Sequence, residues 1–144
     1  METKKKVLIL CTGNSARSQM AEGILRHDGG VALTVESAGV KPSSVRPEAI
    51  QAMKEIGIDI SGHRSKSADE FTSQEFDYII TVCDNAKETC PFFPGHAKRI
   101  HHSFEDPPAP GTKSPEETLA IFRRVRDDIR EWMKSFIAEQ GESK

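Results

Sequence analysis

The fold class that the sequence of 144 residues predicts is a single α/β domain with a parallel sheet, and two patterns support this prediction. Short, almost wholly apolar runs alternate along the chain with longer segments whose apolar residues recur at helical spacing. Such continuous apolar runs are typical of strands that are buried on both faces. We therefore expect one three-layer domain over residues 1–144, with a four-stranded parallel sheet and helices on both faces.

Each element follows from its own local pattern. Strands are expected over 6–10, 33–39 and 78–82, and a weaker fourth strand over 98–102. Helices are expected over three segments with helical periodicity: 18–27, 47–56 and 115–139. Pro47 suits the first turn of the second helix, and a glycine follows the end of the first two. A short helix or turn is expected over 67–71, and a loop over the proline-rich residues 107–111.

Composition restricts the class of protein. Charged residues make up 29% of the chain and hydrophobic residues 36%, with a formal net charge of −2. This balance gives no overall attraction to nucleic acid or to anionic lipid, and no segment has the length of a membrane span. The lysines at the start precede only four apolar residues, too few for a signal peptide. We therefore expect a cytoplasmic protein, monomeric, in which the three cysteines form no structural disulfide.

The strongest chemical signal lies between the first strand and the first helix. It is a loop that starts with a cysteine and ends with an arginine: Cys11-Thr12-Gly13-Asn14-Ser15-Ala16-Arg17, followed by Ser18. The backbone N–H groups of residues 12–17, at a helix N-terminus, would surround a tetrahedral oxyanion. Gly13 permits the positive φ of such a loop, and the Arg17 guanidinium would bind the anion through two hydrogen bonds.

The same loop predicts a nucleophile. Its positive field lowers the pKa of the Cys11 thiol, and the Ser18 hydroxyl can donate a hydrogen bond to the resulting thiolate. The alternative is that Cys11 is a buried strand-end residue and Arg17 a surface charge. Because a strand precedes the loop and a helix follows it, we favour an enzyme that acts on a phosphate-like anion.

A nucleophilic oxyanion site also needs a proton donor for the departing oxygen. Asp106 follows the fourth strand and begins the proline-rich loop, which would place it over the mouth of the site. Burial and a bound anion would both raise its pKa, as a general acid requires. The alternative is a solvated carboxylate in a turn.

Two further cysteines follow the third strand. Cys83 comes at its carboxyl end, where active sites of parallel sheets lie, and it would approach Cys11 if strands one and three are neighbours. Cys90 lies seven positions later, before Pro91. On a helix these two thiols would be about 10 Å apart, whereas a disulfide requires Cα atoms within roughly 4.4–6.8 Å. A bond between them would require the segment to unwind; the alternative is two unrelated thiols.

These three features together resemble the thioredoxin-coupled arsenate reductases, which share the fold of the low-molecular-weight tyrosine phosphatases. The resemblance implies that Cys11 attacks arsenate while Asp106 protonates the departing oxygen. It also implies that Cys83 then attacks the Cys11 adduct, which releases arsenite and leaves a Cys11–Cys83 disulfide. Cys90 would convert this bond to Cys83–Cys90, which thioredoxin reduces by exchange.

The chain departs from the family pattern at two positions. Some relatives carry another cysteine where this chain has Ala16, but the implied cascade does not use it. Some bind K⁺ through positions that match Asn14, Glu22 and Ser37, together with an aspartate where this chain has Lys66. We predict that the Lys66 ammonium takes the place of the cation, and we expect no tightly bound cofactor or metal.

Two other functions stay open at this point. A phosphomonoester hydrolase would need only Cys11, Arg17 and Asp106. Those enzymes typically have a second cysteine in the loop and a tyrosine after the Asp-Pro pair, where this chain has Ala16 and Pro108. A protein that only binds anions would need neither a proton donor nor further thiols.

Overall fold

The computed structural model describes residues 5–14, 16–29, 33–41, 43–82, 97–105, 107–108 and 111–142. Four strands form one sheet: β1 (Lys5–Cys11), β2 (Leu33–Gly39), β3 (Tyr78–Thr81) and β4 (Lys98–His101). Their order is β2-β1-β3-β4, and every neighbouring pair is parallel. The predicted α/β fold with a four-stranded parallel sheet is confirmed.

Within the described residues three helices accompany the sheet, and they contact one another: α1 (Arg17–Gly29), α2 (Pro47–Lys54) and α3 (Pro115–Glu142). A short 3₁₀ helix (Ala68–Phe71) begins at a capping box in which Ser67 and Glu70 satisfy each other's backbone N–H groups. Gly57 has a φ of +79°, a conformation that glycine adopts without strain, and the chain turns there after α2. None of the described helices is long and apolar enough to cross a membrane.

The strand order determines which loops meet. β1 and β3 are the two central strands, and pairing continues beyond β3 because the Val82 N–H donates to the Leu10 carbonyl at 2.9 Å. The expected approach of Cys83 to Cys11 depends on strands one and three being neighbours, and β1 and β3 are paired. The carboxyl ends of β1 and β3, which precede Thr12 and Cys83, therefore lie side by side; Cys83 itself lies outside the described residues.

Candidate active site

The loop after β1 turns its carbonyl groups outward. The Cys11, Thr12 and Gly13 carbonyls accept hydrogen bonds from the N–H groups of residues 40, 41 and 43 at 3.2, 2.8 and 3.0 Å. The Ser65 hydroxyl donates a further bond to the Gly13 carbonyl at 2.8 Å. A trans peptide directs its N–H opposite to its C=O. The N–H groups that follow these carbonyls, those of residues 12–14, are therefore directed away from the 40–43 segment.

A small cleft lies on this inner side of the loop. Its volume is about 230 Å³, below the roughly 300–1,000 Å³ of pockets for drug-sized ligands. Its lining residues combine the loop with two other segments: Cys11, Thr12, Gly13, Ala16, Arg17, Arg46 and Pro107. Cys11 is buried, with 4% of its surface exposed. The cleft thus brings a thiol, backbone amides and two guanidinium groups together, which suits a small anion.

Asn14 holds the loop in shape. Its φ of 50° is the left-handed conformation that the sequence predicted for Gly13, one position earlier, so that prediction is corrected. Asparagine tolerates this conformation better than most residues. Its side-chain nitrogen donates to the hydroxyls of Ser18 (2.8 Å) and Ser37 (2.9 Å). Its side-chain oxygen accepts from Gln19 Nε2 (2.9 Å) and from the Lys66 backbone N–H (2.8 Å).

The bond from Asn14 bears on the predicted role of Ser18. Ser18 is fully buried in the first turn of α1, and its oxygen accepts from Asn14. A hydroxyl that accepts one bond still has its own hydrogen to donate. This geometry is compatible with donation to a Cys11 thiolate, which stays a prediction.

Gln19 is a supporting residue that the sequence reasoning missed. Its Nε2 also donates to the backbone carbonyls of Asn14 (3.0 Å) and Arg64 (2.9 Å), and His63 Nδ1 lies 3.0 Å from its Oε1. The sequence did contain a signal for this role. The predicted first helix carries adjacent polar residues, and a polar side chain on a buried helix face must form hydrogen bonds.

A buried set of charges lies behind the loop. Glu22 is 2% exposed, and two positive groups lie beside it: Lys66 Nζ at 3.3 Å and Arg26 Nη2 at 3.4 Å. His63 Nε2 lies 3.6 Å from the same carboxylate. Lys66 Nζ also lies 3.2 Å from Glu36 Oε2. Burial lowers the pKa of His63; the nearby cations lower it further, whereas Glu22 and Glu36 oppose the shift.

The proposed K⁺ ligands do lie together in this cluster, but they do not fit the ion. Ser37 donates to Glu22 and accepts from Asn14, and the side-chain oxygen of Asn14 already accepts two bonds. The Lys66 ammonium lies against the Glu22 carboxylate that would have to bind the cation. The charge that K⁺ would supply is therefore already present on a side chain. Among the described residues, no group of three His, Cys, Asp or Glu side chains is arranged to hold a metal ion.

The two arginines of the cleft bind the chain on either side of Asp106. Arg17 Nη1 donates to the Phe104 carbonyl, and Arg46 Nη1 donates to the Pro108 carbonyl, each at 3.0 Å. Asp106, Ser15, Cys83 and Cys90 lie outside the described residues, so their predicted roles stay predictions.

Arg46 was missed by the sequence reasoning. It is the N-cap residue of α2, and its side chain makes no capping hydrogen bond. Its Nε and Nη2 instead donate to the two oxygens of Glu48, each at 3.2 Å. Burial raises the pKa of Glu48, but hydrogen bonds from Arg46 and from the backbone outweigh this and leave the pKa below its usual value. A positively charged side chain at a helix N-terminus is unfavourable, because that end of the helix is itself positive. This conflict could have identified Arg46 in the sequence as a residue with another role.

Comparison with known proteins agrees with this geometry. Residues 6–144 match the family described as low molecular weight phosphotyrosine protein phosphatase. An arsenate reductase of Halalkalibacterium halodurans is 46% identical over 138 residues, which cover 96% of this chain and 98% of the relative. An arsenate reductase of Bacillus subtilis is 46% identical over 138 residues, which cover 95% of this chain and 97% of that relative.

Solved structures show the same relationship. A structure described as an arsenate reductase in the phosphate binding state superposes with a TM-score of 0.75 at 34% identity, covering 94% of this chain and 98% of that one. A low molecular weight protein tyrosine phosphatase from T. tengcongensis superposes with a TM-score of 0.77 at 27% identity, covering 94% and 99%. The chain therefore belongs to the low molecular weight phosphotyrosine protein phosphatase family and is a homologue of proteins named arsenate reductase.

Proposed function

We propose that this chain reduces arsenate to arsenite through its three thiols and that thioredoxin regenerates it. The observation that carries the proposal is the cleft itself, in which Cys11 lies among inward-directed amides and Arg17. The near-full-length similarity to arsenate reductases supports the same substrate. The cleft is lined by no aromatic side chain within the described part of the chain, which favours a small inorganic anion over an aryl phosphate.

In the first step, the Cys11 thiolate attacks arsenic and displaces an oxygen. Arg17 and the loop amides hold the remaining oxygens, and they stabilise the negative charge that builds up on them. Asp106 supplies the proton with which the departing oxygen leaves as water. The product is an adduct in which the Cys11 sulfur is bound to As(V).

In the second step, the Cys83 thiolate attacks the Cys11 sulfur. The S–As bond breaks and its electron pair stays on arsenic, which leaves as As(III) arsenite. The two sulfurs supply the two electrons and become a disulfide. The adjacency of β1 and β3 supports this step, because Cys11 is the last residue of β1 and Cys83 follows the neighbouring strand β3 along the chain.

In the third step, Cys90 attacks Cys83 and frees the Cys11 thiol. The Cys83–Cys90 disulfide is then open to exchange with reduced thioredoxin. This relay requires a reducing compartment, in agreement with the cytoplasmic location expected from the sequence.

Hydrolysis of phosphomonoesters is the second candidate, because the family match includes tyrosine phosphatases and Cys11, Arg17 and Asp106 would suffice for it. An assay with arsenate, thioredoxin, thioredoxin reductase and NADPH distinguishes the two. We expect Cys11→Ser to abolish every activity. Cys83→Ser and Cys90→Ser should lose arsenate turnover while slow hydrolysis of a phosphomonoester persists. Normal arsenate turnover by Cys90→Ser would refute the relay, and hydrolysis without arsenate reduction in the wild type would establish the phosphatase.

A further inference from the structure

We propose that Arg46 is a positioning residue that, together with Arg17, anchors Phe104 and Pro108, the residues that flank the general acid Asp106 in the sequence. The inference rests on the proposed function for the role of Asp106. Phe104 and Pro108 lie two positions before and two positions after Asp106. The carbonyl of each is bound by a guanidinium that lines the same cleft, at 3.0 Å in both cases.

The surroundings of Arg46 favour positioning over direct binding of the anion. Its Nε and Nη2 donate to Glu48, and its Nη1 donates to Pro108. Its guanidinium carbon lies 5.0 Å from the centre of the Phe122 ring, and Phe122 is fully buried. The group is thus fixed by a carboxylate, a carbonyl and an aromatic face. Its charge is balanced by Glu48, whereas a dedicated anion ligand would direct its donors into the cleft.

The two arginines are not equivalent. Arg17 ends the loop over residues 11–17, the proposed anion loop, so its bond to the Phe104 carbonyl connects this loop to the residues that precede Asp106. Arg46 belongs to the start of α2 and connects the other side to a separate element. A proton donor must lie within hydrogen-bond reach of the departing oxygen. Loss of the bond between Arg46 and Pro108 should therefore slow the first step of the reaction without weakening anion binding.

A double-mutant cycle tests this coupling. We would follow arsenate-dependent loss of thiols in a single turnover for the wild type, Arg46→Gln, Asp106→Asn and the double variant. We expect Arg46→Gln to slow the step about ten-fold and Asp106→Asn about 100-fold. The double variant should be no slower than Asp106→Asn, because Arg46 acts through that carboxyl. Multiplication of the two effects would overturn the proposal.

Binding of inorganic phosphate provides the second readout. Protection of Cys11 from iodoacetamide by phosphate should give the same dissociation constant, within about two-fold, in the wild type and in Arg46→Gln. A ten-fold weaker constant would make Arg46 an anion ligand instead. Arg46→Lys keeps the charge but cannot donate to Glu48 and Pro108 in the same way, so we expect it to behave as Arg46→Gln does. Arg123→Gln is the matched control, because Arg123 binds Glu55 through Nε and Nη2, the two nitrogens with which Arg46 binds Glu48.

Hydrogen exchange decides the inference independently of arsenate chemistry. In Arg46→Gln, amides in a peptide over residues 103–113 should exchange at least about three-fold faster than in the wild type, and those in Arg123→Gln should not. Unchanged exchange would overturn the proposal even if the wild type proved inactive with arsenate. Inactivity of the wild type would refute the proposed function alone.

Discussion

The ammonium nitrogen of Lys66 lies 3.3 Å from Oε1 of Glu22, directly behind the loop that carries Cys11. Both residues are buried, with 8% and 2% of their surfaces exposed. Lys66 also touches the loop through its backbone N–H, which donates to Asn14 Oδ1. One residue therefore supplies both a positive charge behind the anion loop and a hydrogen bond that holds its shape.

The first prediction concerns monovalent cations. Because an ammonium already neutralises Glu22, exchange of Na⁺ for K⁺ at constant ionic strength should change kcat/KM for arsenate by less than about two-fold. Steady-state rates in matched chloride buffers measure this. A large rise in catalytic efficiency in K⁺ would show that a cation still binds near Lys66.

The second prediction concerns the stability of this ion pair. Lys66→Met leaves the Glu22 carboxylate buried with less compensation, and loss of one partner of a buried pair costs about 3–5 kcal/mol. Since Arg26 and His63 remain near Glu22, we expect the lower end, about 3 kcal/mol, from urea unfolding. Arg64→Gln breaks an exposed pair with Glu70 and serves as the control. An equal effect of both variants would contradict the role of burial.

The third prediction concerns pH. Burial holds the pKa of His63 below its ordinary value of 6.5, so the unfolded chain takes up this proton at a higher pH than the folded chain does. The free energy of unfolding should therefore fall as the pH drops below about 6.5, and this contribution is fully lost below the folded pKa. The positive charges of Arg26 and Lys66 lower the pKa of His63 further, whereas the negative charges of Glu22 and Glu36 raise it.

The His63→Gln variant isolates this contribution from the carboxylates that titrate at lower pH. Its stability should depend less on pH between 6.5 and 5 than that of the wild type, as measured by urea unfolding at each pH. Parallel pH profiles for the two proteins would show that His63 has an ordinary pKa in the folded state.

The fold was predictable because its signals are local. The run of apolar residues before Cys11 defines a buried strand, and the change from strand to helix at Arg17 places the anion loop at the carboxyl end of the sheet. These features depend on short stretches of sequence, and strand adjacency follows from a small number of allowed topologies.

The supporting residues were not predictable in the same way, because their roles depend on distant partners. Gln19 bonds Arg64, and Arg46 bonds Pro108, 62 positions away. Asn14 adopts the left-handed conformation predicted for Gly13 because its four side-chain hydrogen bonds stabilise that geometry. Backbone propensity alone favours glycine at a position with a positive φ, because it does not account for side-chain hydrogen bonds that form only in the folded chain.

The fourth prediction concerns the close contact between β2 and the anion loop. A Cβ at Gly39 would lie 2.6 Å from the Thr12 carbonyl oxygen and 2.8 Å from the Asn14 nitrogen. Both neighbours are backbone atoms, so Gly39→Ala must move the loop or the strand. Overpacking of this kind costs about 1–3 kcal/mol.

The displaced loop should bind anions poorly even though the protein folds. We expect Gly39→Ala to weaken phosphate protection of Cys11 and to slow the reaction with arsenate, each by at least about ten-fold. Gly62→Ala is the matched control, because a Cβ at Gly62 meets nothing within 4 Å, and it should leave both quantities unchanged. Phosphate binding by Gly39→Ala at the wild-type strength would show that the loop tolerates the shift, and that its amides need not be held by β2 to form the anion site.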